Sequence, residues 1–353
     1  MYSPPAALKP ILFFPGLIYE LLMRLRNAAY STGRLKPRRL PGPAISVGNL
    51  TLGGAGKTPL AILVAGILVK SGYPTVLLSR GYGRRLGSHT QLVTPSASVS
   101  DPASELGDEP ALIRRALPEI WMGIAPERYS VGLQIAALQP GSVYILDDGF
   151  QHRTLHRDLD LVILDPTQPF ATNSVFPRGS LREPAKEIRR SQVVLVNGAS
   201  SANACVEVEL AVQSIHPNAI IFHCLQKIDR LIPFLDWKNM REDTPATLPC
   251  KSVFLAAAIG NPDRFRRDVE QLGIEVKGAR FFRDHHSISL SEWLHCARKA
   301  RDANASFVLT TEKDAVKISH SLDFPLLVAC QSTSIVEKDQ FEAILKTAVE
   351  RAH

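Results

Sequence analysis

Cysteine is scarce in this chain of 353 residues: the sequence holds only five, and they lie far apart. No two form a Cys-x-x-Cys pair, and none is spaced from a histidine as zinc ligands are, so a zinc site is not indicated. The odd number also argues against a disulfide framework. We therefore expect reduced thiols, as in a cytosolic protein. The five are Cys205, Cys224, Cys250, Cys296 and Cys330.

The sequence also lacks an apolar run long enough to cross a bilayer. The segment from Ile11 to Tyr19 is apolar, but it falls short of the roughly 20 residues that a spanning helix needs, and Pro15-Gly16 breaks it. Apolar residues then recur at helical spacing as far as Ala29, which predicts an amphipathic helix. No small-residue cleavage site of a secretory signal precedes Arg24, so we expect this helix to be retained.

The amphipathic pattern favours a helix that lies in the membrane interface with its apolar face in the lipid. A basic stretch overlaps and follows it, and each cation near an anionic leaflet contributes on the order of 1 kcal/mol. The alternative is a helix packed on its own domain beside a solvated basic loop. The basic residues are Arg24, Arg26, Arg34, Lys36, Arg38 and Arg39.

Neither low hydrophobicity nor an extreme charge is present. Hydrophobic residues make up 45% of the chain and charged residues 21%, which is typical of a globular protein and not of a disordered one. The net charge of +7 suits anionic partners such as nucleotide phosphates, nucleic acid or an acidic membrane. Because neither a helix-turn-helix pattern nor interleaved aromatic and basic residues occur, we expect no nucleic-acid partner.

The most informative motif is a glycine-rich turn that ends in Gly-Lys-Thr. It follows the β-like run Ala44 to Val47 and precedes the apolar helical stretch Leu60 to Val69, which is the context of a phosphate-binding P-loop. Lys57 would reach the β- and γ-phosphates of a nucleoside triphosphate, and the Thr58 hydroxyl would complete a Mg²⁺ shell. The alternative is an accidental Gly-Lys-Thr in an ordinary turn. The predicted nucleotide-binding residues are Thr51 (where the usual motif has glycine), Gly53, Gly54, Ala55, Gly56, Lys57 and Thr58.

Two acidic pairs stand at positions suited to phosphoryl transfer. Asp147-Asp148 end an apolar strand, where P-loop enzymes place a carboxylate that positions Mg²⁺. Asp108-Glu109 stand just before the helix-opening Pro110 and would cap that helix, or provide a base for an attacking hydroxyl or a metal ligand. A strand-ending turn is the structural alternative for the first pair.

Arginines and a histidine pair add further candidates. Arg80 follows a buried strand within Ser-Arg-Gly-Tyr-Gly-Arg-Arg, and Arg128 and Arg182-Glu183 stand in predicted loops, where guanidinium groups can bind phosphate. Asp284-His285-His286 lacks the spacing of a metal site; it could orient a base across a cleft or be structural.

The order of β-like and helical runs predicts an α/β fold. Continuous apolar strands separated by helices indicate a P-loop-type doubly wound sheet whose ligands bind at the carboxyl ends of the strands. Alternating residues from Val206 to Leu210 and from Ala219 to Phe222 predict solvent-facing antiparallel strands, as in a ribbon, and a turn-rich linker from Pro233 to Pro249 precedes a second, smaller α/β unit. The predicted divisions are 1–40 (amphipathic helix and basic loop), 41–203 (P-loop domain), 204–249 (β-ribbon and linker) and 250–353 (C-terminal α/β domain).

These motifs, taken in order, resemble those of the tetraacyldisaccharide 4′-kinases, which phosphorylate a lipid A precursor. The resemblance spans nearly the whole chain, and the family also carries a residue other than glycine where this chain has Thr51. The matching motifs begin at Val47, Ser79, Gly107, Leu146, Leu181, Asp284 and Thr310.

The resemblance implies a phosphotransferase on the cytoplasmic face of the bacterial inner membrane, monotopic through its N-terminal helix, with two α/β/α domains joined by a β-ribbon. It implies that ATP and Mg²⁺ are used to phosphorylate the 4′-hydroxyl of a tetraacyl glucosamine disaccharide 1-phosphate to lipid IVA, with no obligate protein partner. The implied roles are catalytic base and its partner for Asp108 and His285; metal or water positioning for Thr58, Glu109, Asp147 and Asp148; and lipid contact for Arg80, Arg128, Arg182 and Glu183.

A regulatory P-loop ATPase or GTPase is the alternative function. Regulatory ATPases of the deviant type carry an extra lysine where this chain has Leu52, and the guanine-specifying Asn-Lys-x-Asp is missing. We therefore expect a kinase.

Overall fold

The structure, a computed structural model, describes residues 9–82, 84, 89–97, 99, 101–166, 170, 174–198, 202–240, 250–319 and 322–352. Twelve strands form one mixed sheet in the order β10-β9-β11-β12-β8-β7-β6-β1-β5-β2-β4-β3, which confirms the predicted α/β class. The strands are β1 (Ala44–Gly48), β2 (Thr75–Ser79), β3 (Gln91–Val93), β4 (Trp121–Ile124), β5 (Val143–Asp147), β6 (Leu159–Leu164), β7 (Val193–Asn197), β8 (Ile220–Pro233), β9 (Ser252–Ala257), β10 (Glu275–Phe281), β11 (Phe307–Thr311) and β12 (Leu326–Ile335).

Helices connect these strands and cover the sheet. They are α1 (Lys9–Ser31), α2 (Lys57–Lys70), α3 (Pro102–Leu106), α4 (Asp108–Ala116), α5 (Arg128–Leu138), α6 (Ala202–Ile215), α7 (Phe234–Lys238), α8 (Pro262–Glu270), α9 (Leu290–Asp302), α10 (Glu312–Ala315) and α11 (Lys338–Glu350), with a 3₁₀ helix at Ala185–Arg190.

The central strands form a parallel block because every residue of β1, β2, β5, β6 and β7 is buried. Strands that are covered on both faces carry continuous apolar runs, as the sequence predicts here. Parallel pairing brings the carboxyl ends of β1, β2, β4 and β5 to one edge of the sheet. The residues that follow these strands therefore share one surface.

The long strand β8 connects the two parts of the sheet. Its first residues, Ile220 to Cys224, pair in parallel with β7, and the rest pairs antiparallel with β12, Cys224 opposite Ile335 and Pro233 opposite Leu327. Strands β9, β10 and β11 run parallel to β12, so they are antiparallel to the central block. Strand β12 pairs with β11 only over its first four residues, with Thr311 at the end of β11 opposite Ala329, whereas its last residue Ile335 lies opposite Cys224 of β8. The carboxyl ends of the two blocks therefore face each other across a gap that is spanned by the six residues Cys330 to Ile335 of β12. A strand rises about 3.3 Å per residue, which makes this gap roughly 20 Å.

Three expectations about elements need correction. Val206 to Leu210 lies in helix α6 and is not a strand; the antiparallel ribbon consists of β8 and β12, which are distant in sequence. The expected linker begins with helix α7, and its residues 241–249 lie outside the described part of the chain. Pro15 does not interrupt the N-terminal helix, because α1 continues through it.

Within the part of the chain that the structure describes, no helix is both long and apolar enough to cross a membrane. Helix α1 nevertheless leaves a row of large apolar side chains exposed to solvent. They are Ile11, Phe13, Phe14, Leu17, Ile18, Leu21, Leu22 and Leu25, each between 40% and 71% exposed.

Candidate active site

A cleft of about 1380 Å³ lies between the two facing sheet edges. Its lining includes the glycine-rich turn on one side and the segment that follows β10 on the other. The cleft is large enough for a nucleotide and a second substrate, because pockets for drug-sized ligands measure ~300–1,000 Å³.

The glycine-rich turn wraps the beginning of helix α2. Gly56 caps the helix with φ 91°, a left-handed conformation that glycine adopts without strain, and the ideal Cβ position there lies 2.4 Å from Gln226 Oε1. The Lys57 ammonium donates to Asn49 Oδ1 at 3.3 Å and lies 3.6 Å from Asp148 Oδ1, so it is held inside the cleft. A glycine-rich turn at a helix N-terminus, with a lysine held beside it, can bind phosphate groups.

The predicted P-loop residues divide into two groups. Gly53, Gly54, Gly56, Lys57 and Thr58 line the cleft. Thr51 and Ala55 support the loop from behind. Thr51 forms a β-bridge with Leu181, and the buried Ala55 accepts a hydrogen bond at its carbonyl oxygen from Asn197 Nδ2 at 2.9 Å.

The adjacent carboxyls at the end of β5 differ in their surroundings. Asp147 is buried, neither of its oxygens has a hydrogen-bond partner in the described chain, and burial together with the nearby Glu109 and Asp148 raises the pKa of Asp147 to about 7. Asp148 turns away with φ 49° and bonds Arg182 Nη1 at 2.7 and 2.8 Å. Although burial acts to raise the pKa of Asp148, Lys57 and Arg182 hold it well below its usual range.

Asp108 and His285 meet across the cleft, as the resemblance implied they would act together. His285 Nδ1 lies 2.9 Å from Asp108 Oδ2, and the His285 ring packs edge-on against Tyr82 at 4.9 Å between centroids. Gly107, with φ 96° and ψ 157°, turns the chain into helix α4 so that Asp108 stands in its first turn. Burial acts to raise the pKa of Asp108, but the hydrogen bond to His285 and the charge of Lys313 lower it below its usual value. Asp108 is therefore ionised at neutral pH.

Lys313 is the residue that sequence reasoning missed. It stands in helix α10, directly after β11, and its ammonium lies 2.9 Å from Asp284 Oδ1, 3.3 Å from His285 Nε2 and 4.0 Å from both Asp108 Oδ2 and Glu109 Oε1. The signal was available, since Lys313 belongs to the last matching motif and follows the end of an apolar strand.

The four predicted lipid-contact residues are not equivalent. Arg80 is exposed and lines the cleft, and Arg182 lines it while pairing with Asp148. Arg128 also lines the cleft but is only 4% exposed, and its Nη1 donates to the Asp148 carbonyl at 3.4 Å. Glu183 is fully buried, with Asn27 Nδ2 at 3.0 Å and Arg190 Nη2 at 2.6 Å from its Oε2. In the motif that begins at Ser79, Gly83 and Arg85 lie outside the described residues.

A comparison with protein families finds one match over nearly the full length. The profile described as tetraacyldisaccharide-1-P 4′-kinase matches residues 8–350. A tetraacyldisaccharide 4′-kinase of Geobacter metallireducens is 36% identical over 300 residues, covering 85% of this chain and 86% of the relative. One from Desulfotalea psychrophila is 33% identical over 346 residues, covering 96% and 97% respectively.

A solved structure shares the fold. The crystal structure of LpxK from Aquifex aeolicus in complex with ATP aligns with a TM-score of 0.71 at 27% identity, covering 97% of this chain and 99% of that one.

Proposed function

Since the chain belongs to the tetraacyldisaccharide-1-P 4′-kinase family, we propose that its cleft transfers the γ-phosphate of ATP to the 4′-hydroxyl of a tetraacyl glucosamine disaccharide 1-phosphate. The product is lipid IVA. The observation that carries the assignment of roles is the hydrogen bond between Asp108 and His285, which lines the same cleft as Lys57.

The phosphate end of ATP would occupy the glycine-rich turn. Gly53, Gly54 and Gly56 bring backbone N–H groups to the surface of the cleft, and the N-terminus of α2 adds partial positive charge. Lys57, which is only 7% exposed, would neutralise charge on the β- and γ-phosphates. Catalysis then rests mainly on alignment and on charge stabilisation.

The acidic residues fit a Mg²⁺ ion. Both oxygens of the buried Asp147 lack a hydrogen-bond partner in the described chain and lie near Glu109, so they are available to a cation. Within the described chain, no group of three or more His, Cys, Asp or Glu side chains is arranged to hold a metal ion by itself. Mg²⁺ is usually bound by one or two carboxylates together with substrate phosphates and water. Thr58, Glu109, Asp147 and Asp148 would hold the ion, directly or through water; when bound it withdraws charge from the phosphate oxygens.

Asp108 would act as the general base. As the 4′-oxygen bonds to the γ-phosphorus, the bond from that phosphorus to the bridging oxygen of ADP breaks, and the hydroxyl proton passes to Asp108. An ionised carboxylate at neutral pH can accept this proton. His285, held against Tyr82, would fix the Asp108 carboxylate and stabilise its charge through Nδ1–H.

Helix α1 would hold the enzyme at its lipid substrate. Its exposed apolar row and the basic residues that follow support a monotopic position on the cytoplasmic face of the inner membrane. We further propose that the blocks on either side of the β8–β12 ribbon act as the P-loop domain and a smaller C-terminal domain, and that Arg80 and Arg182 contact the disaccharide. No obligate protein partner is proposed.

The test of the function is transfer of ³²P from γ-labelled ATP to the 1-phosphorylated tetraacyl disaccharide in detergent micelles. A labelled bisphosphorylated lipid is expected with the wild type and not with Lys57→Ala. Binding of Mg²⁺-ATP without labelled lipid would contradict the proposal and favour a regulatory ATPase.

The dyad makes a separate prediction. Asp108→Asn and His285→Ala should each lower kcat by about 10²-fold or more, because a positioned base contributes roughly 10²–10⁴-fold. Steady-state kinetics at saturating ATP measures this, with ATP affinity as the control that the P-loop is intact. Near-normal turnover of either variant would exclude the dyad.

A further inference from the structure

Glu183 has no access to a lipid in this structure. Its side chain is fully buried, and its Oε2 accepts hydrogen bonds from Asn27 Nδ2 and Arg190 Nη2 at 3.0 and 2.6 Å. Arg26 adds a cation 3.9 Å from the other oxygen. A buried carboxylate is tolerated only when such partners offset the loss of hydration. Asn27 and Arg26 belong to helix α1, so α1 is one wall of the enclosure.

The Asn27 side chain is unusual for its place in the helix. Asn27 is 3% exposed, whereas most of α1 before it presents exposed apolar residues. Asparagine is a weak helix former, and its burial is unfavourable without a partner. The Asn27 amide nitrogen finds that partner in Glu183.

A second contact joins α1 to the same segment. The Tyr19 hydroxyl, two helical turns before Asn27, donates to the backbone carbonyl of Arg182 at 3.2 Å. Helix α1 thus holds the backbone of Arg182 and the side chain of Glu183. Two hydrogen bonds eight residues apart fix both the position and the rotation of the helix on this segment.

The held segment is itself paired with the entry to the glycine-rich turn. Leu52 N donates to Ser180 O and Arg182 N donates to Leu50 O, both at 2.7 Å, and Thr51 forms a β-bridge with Leu181. The Arg182 side chain then reaches Asp148. The segment 180–183 therefore lies between α1 and the residues that would bind phosphate and metal.

We propose that Glu183 and Asn27 are positioning residues that lock helix α1 to the P-loop edge, so that the seating of α1 on a lipid surface sets the position of Arg182 and Asp148. This inference rests on the proposed kinase function and replaces the lipid-contact role of Glu183. Its consequence is that loosening α1 lowers turnover even when lipid and ATP are saturating.

The variants are Asn27→Ala, Glu183→Gln and the double variant, with the exposed residues Gln213→Ala and Glu207→Gln of α6 as matched controls. Each single change should lower kcat about tenfold with KM for the disaccharide within about twofold, since a misplacement of ~1 Å at a site can cost up to 10²-fold. The double variant should be about as impaired as Glu183→Gln alone, because Asn27→Ala removes only one of the partners that are affected when Glu183 loses its charge.

Limited trypsin digestion without lipid gives a readout that does not depend on activity. Cleavage at Arg24, Arg26 and Arg34 should be faster in both single variants than in the wild type and the controls. Exchanging the two groups, in Asn27→Asp with Glu183→Gln, should restore protection and part of the lost kcat. Equal melting temperatures would show that the variants fold.

The inference would be overturned if Glu183→Gln alone raised the KM for the disaccharide, while Asn27→Ala kept normal kinetics and trypsin cleavage was unchanged. That result would favour the lipid-contact role of Glu183 instead. Failure of the wild type to label lipid would refute the kinase function instead, and the trypsin result would still decide whether the lock exists.

Discussion

Asp147 and Asp148 are neighbours in sequence but have opposite electrostatic environments. Asp147 ends a buried strand, and its burial together with the charges of Glu109 and Asp148 raises its pKa although Arg128 and Lys57 act to lower it. The left-handed backbone at Asp148 turns that side chain toward Lys57 and Arg182, which keeps it ionised. Asp148 is paired with two cations, whereas neither oxygen of Asp147 has a hydrogen-bond partner in the described chain, so the two residues cannot have interchangeable roles.

Asp108 and Lys313 contact the two ring nitrogens of His285 from opposite sides. The ionised Asp108 can only accept, so Nδ1 donates to it, and an ammonium can only donate, so Nε2 accepts from Lys313. Lys313→Met should lower kcat by about 10-fold or more, because the Asp108–His285 pair loses the cation that lies 3.3 Å from Nε2 and 4.0 Å from Asp108 Oδ2. ATP affinity should stay within about twofold. Steady-state kinetics with ATP-binding controls measures both, and an unchanged kcat would contradict this role.

The sequence predicted which candidate residues lie around the cleft better than it predicted their contacts. Lys57, Asp108 and Asp147 could be found because each stands directly after a strand or opens a helix, where chain order fixes position. The enclosure of Glu183 could not be found, because it depends on Asn27, 156 residues away, and on the rotation of α1. Spacing along the chain carries no information on such a contact.

At the scale of secondary-structure elements, His223 connects its own strand β8 with the two helices α6 and α11. Its Nδ1 lies 2.7 Å from Glu337 at the start of α11, and its Nε2 lies 2.8 Å from Glu209 of α6. The hydrogen bond to Glu337, assisted by Glu209, raises the pKa of His223. Burial acts to raise the pKa of Glu337, but its hydrogen bonds with His223 lower that pKa below its usual value. These contacts of His223 with Glu337 and Glu209, which we call the His223 clamp, are complete where His223 is protonated and Glu337 is ionised.

His223→Gln should therefore destabilise the protein in a pH-dependent way. A group whose pKa is raised by folding contributes fully below its unfolded pKa, here near 6.5, and loses that contribution as pH rises through the higher folded pKa. The loss of unfolding free energy should be about 1 kcal/mol near pH 6 and should shrink toward pH 9. Urea denaturation of both proteins at these pH values measures it. A difference that grows with pH would refute the clamp.

Helix α6 shows why a short alternating pattern misleads. Five residues from Val206 to Leu210 fit a strand, but the buried positions Cys205, Val208 and Val212 are spaced by three and four residues, which is the period of a helix. Over five residues the two periods cannot be told apart. The central strands were predicted correctly because runs buried on both faces carry no such ambiguity.

At the scale of the molecule, the active site depends on the pairing of β8 with β12. About a hundred residues separate the paired strands, and the antiparallel contact reverses the direction of the C-terminal block. This reversal turns Lys313 and His285 toward the glycine-rich turn. Nothing local in the sequence specifies that β8 pairs with β12. The two segments could be predicted to be strands, but the geometry of the cleft that their pairing produces could not.

The orientation of the whole molecule at a membrane gives the last prediction. Ile18 and Leu22 lie one helical turn apart on α1 and are 60% and 55% exposed. An exposed apolar row of this size is rare on a free protein surface. Ile18→Asp combined with Leu22→Asp should lower binding to vesicles of phosphatidylethanolamine and phosphatidylglycerol by about 10-fold or more, since full burial of such a side chain contributes ~1.5–3 kcal/mol.

Vesicle sedimentation at two salt concentrations measures this binding. The control is Leu138→Asp with Leu210→Asp, which removes leucines that are 62% and 60% exposed on α5 and α6. The control should bind as the wild type does, and both variants should melt at the wild-type temperature because no buried contact is lost. Part of the wild-type binding should also weaken at high salt, since the basic residues after α1 add an electrostatic component. If the α1 variant and the wild type sediment equally, the face of α1 that carries Ile18 and Leu22 does not bind lipid. The lipid substrate would then have to reach the cleft without help from α1.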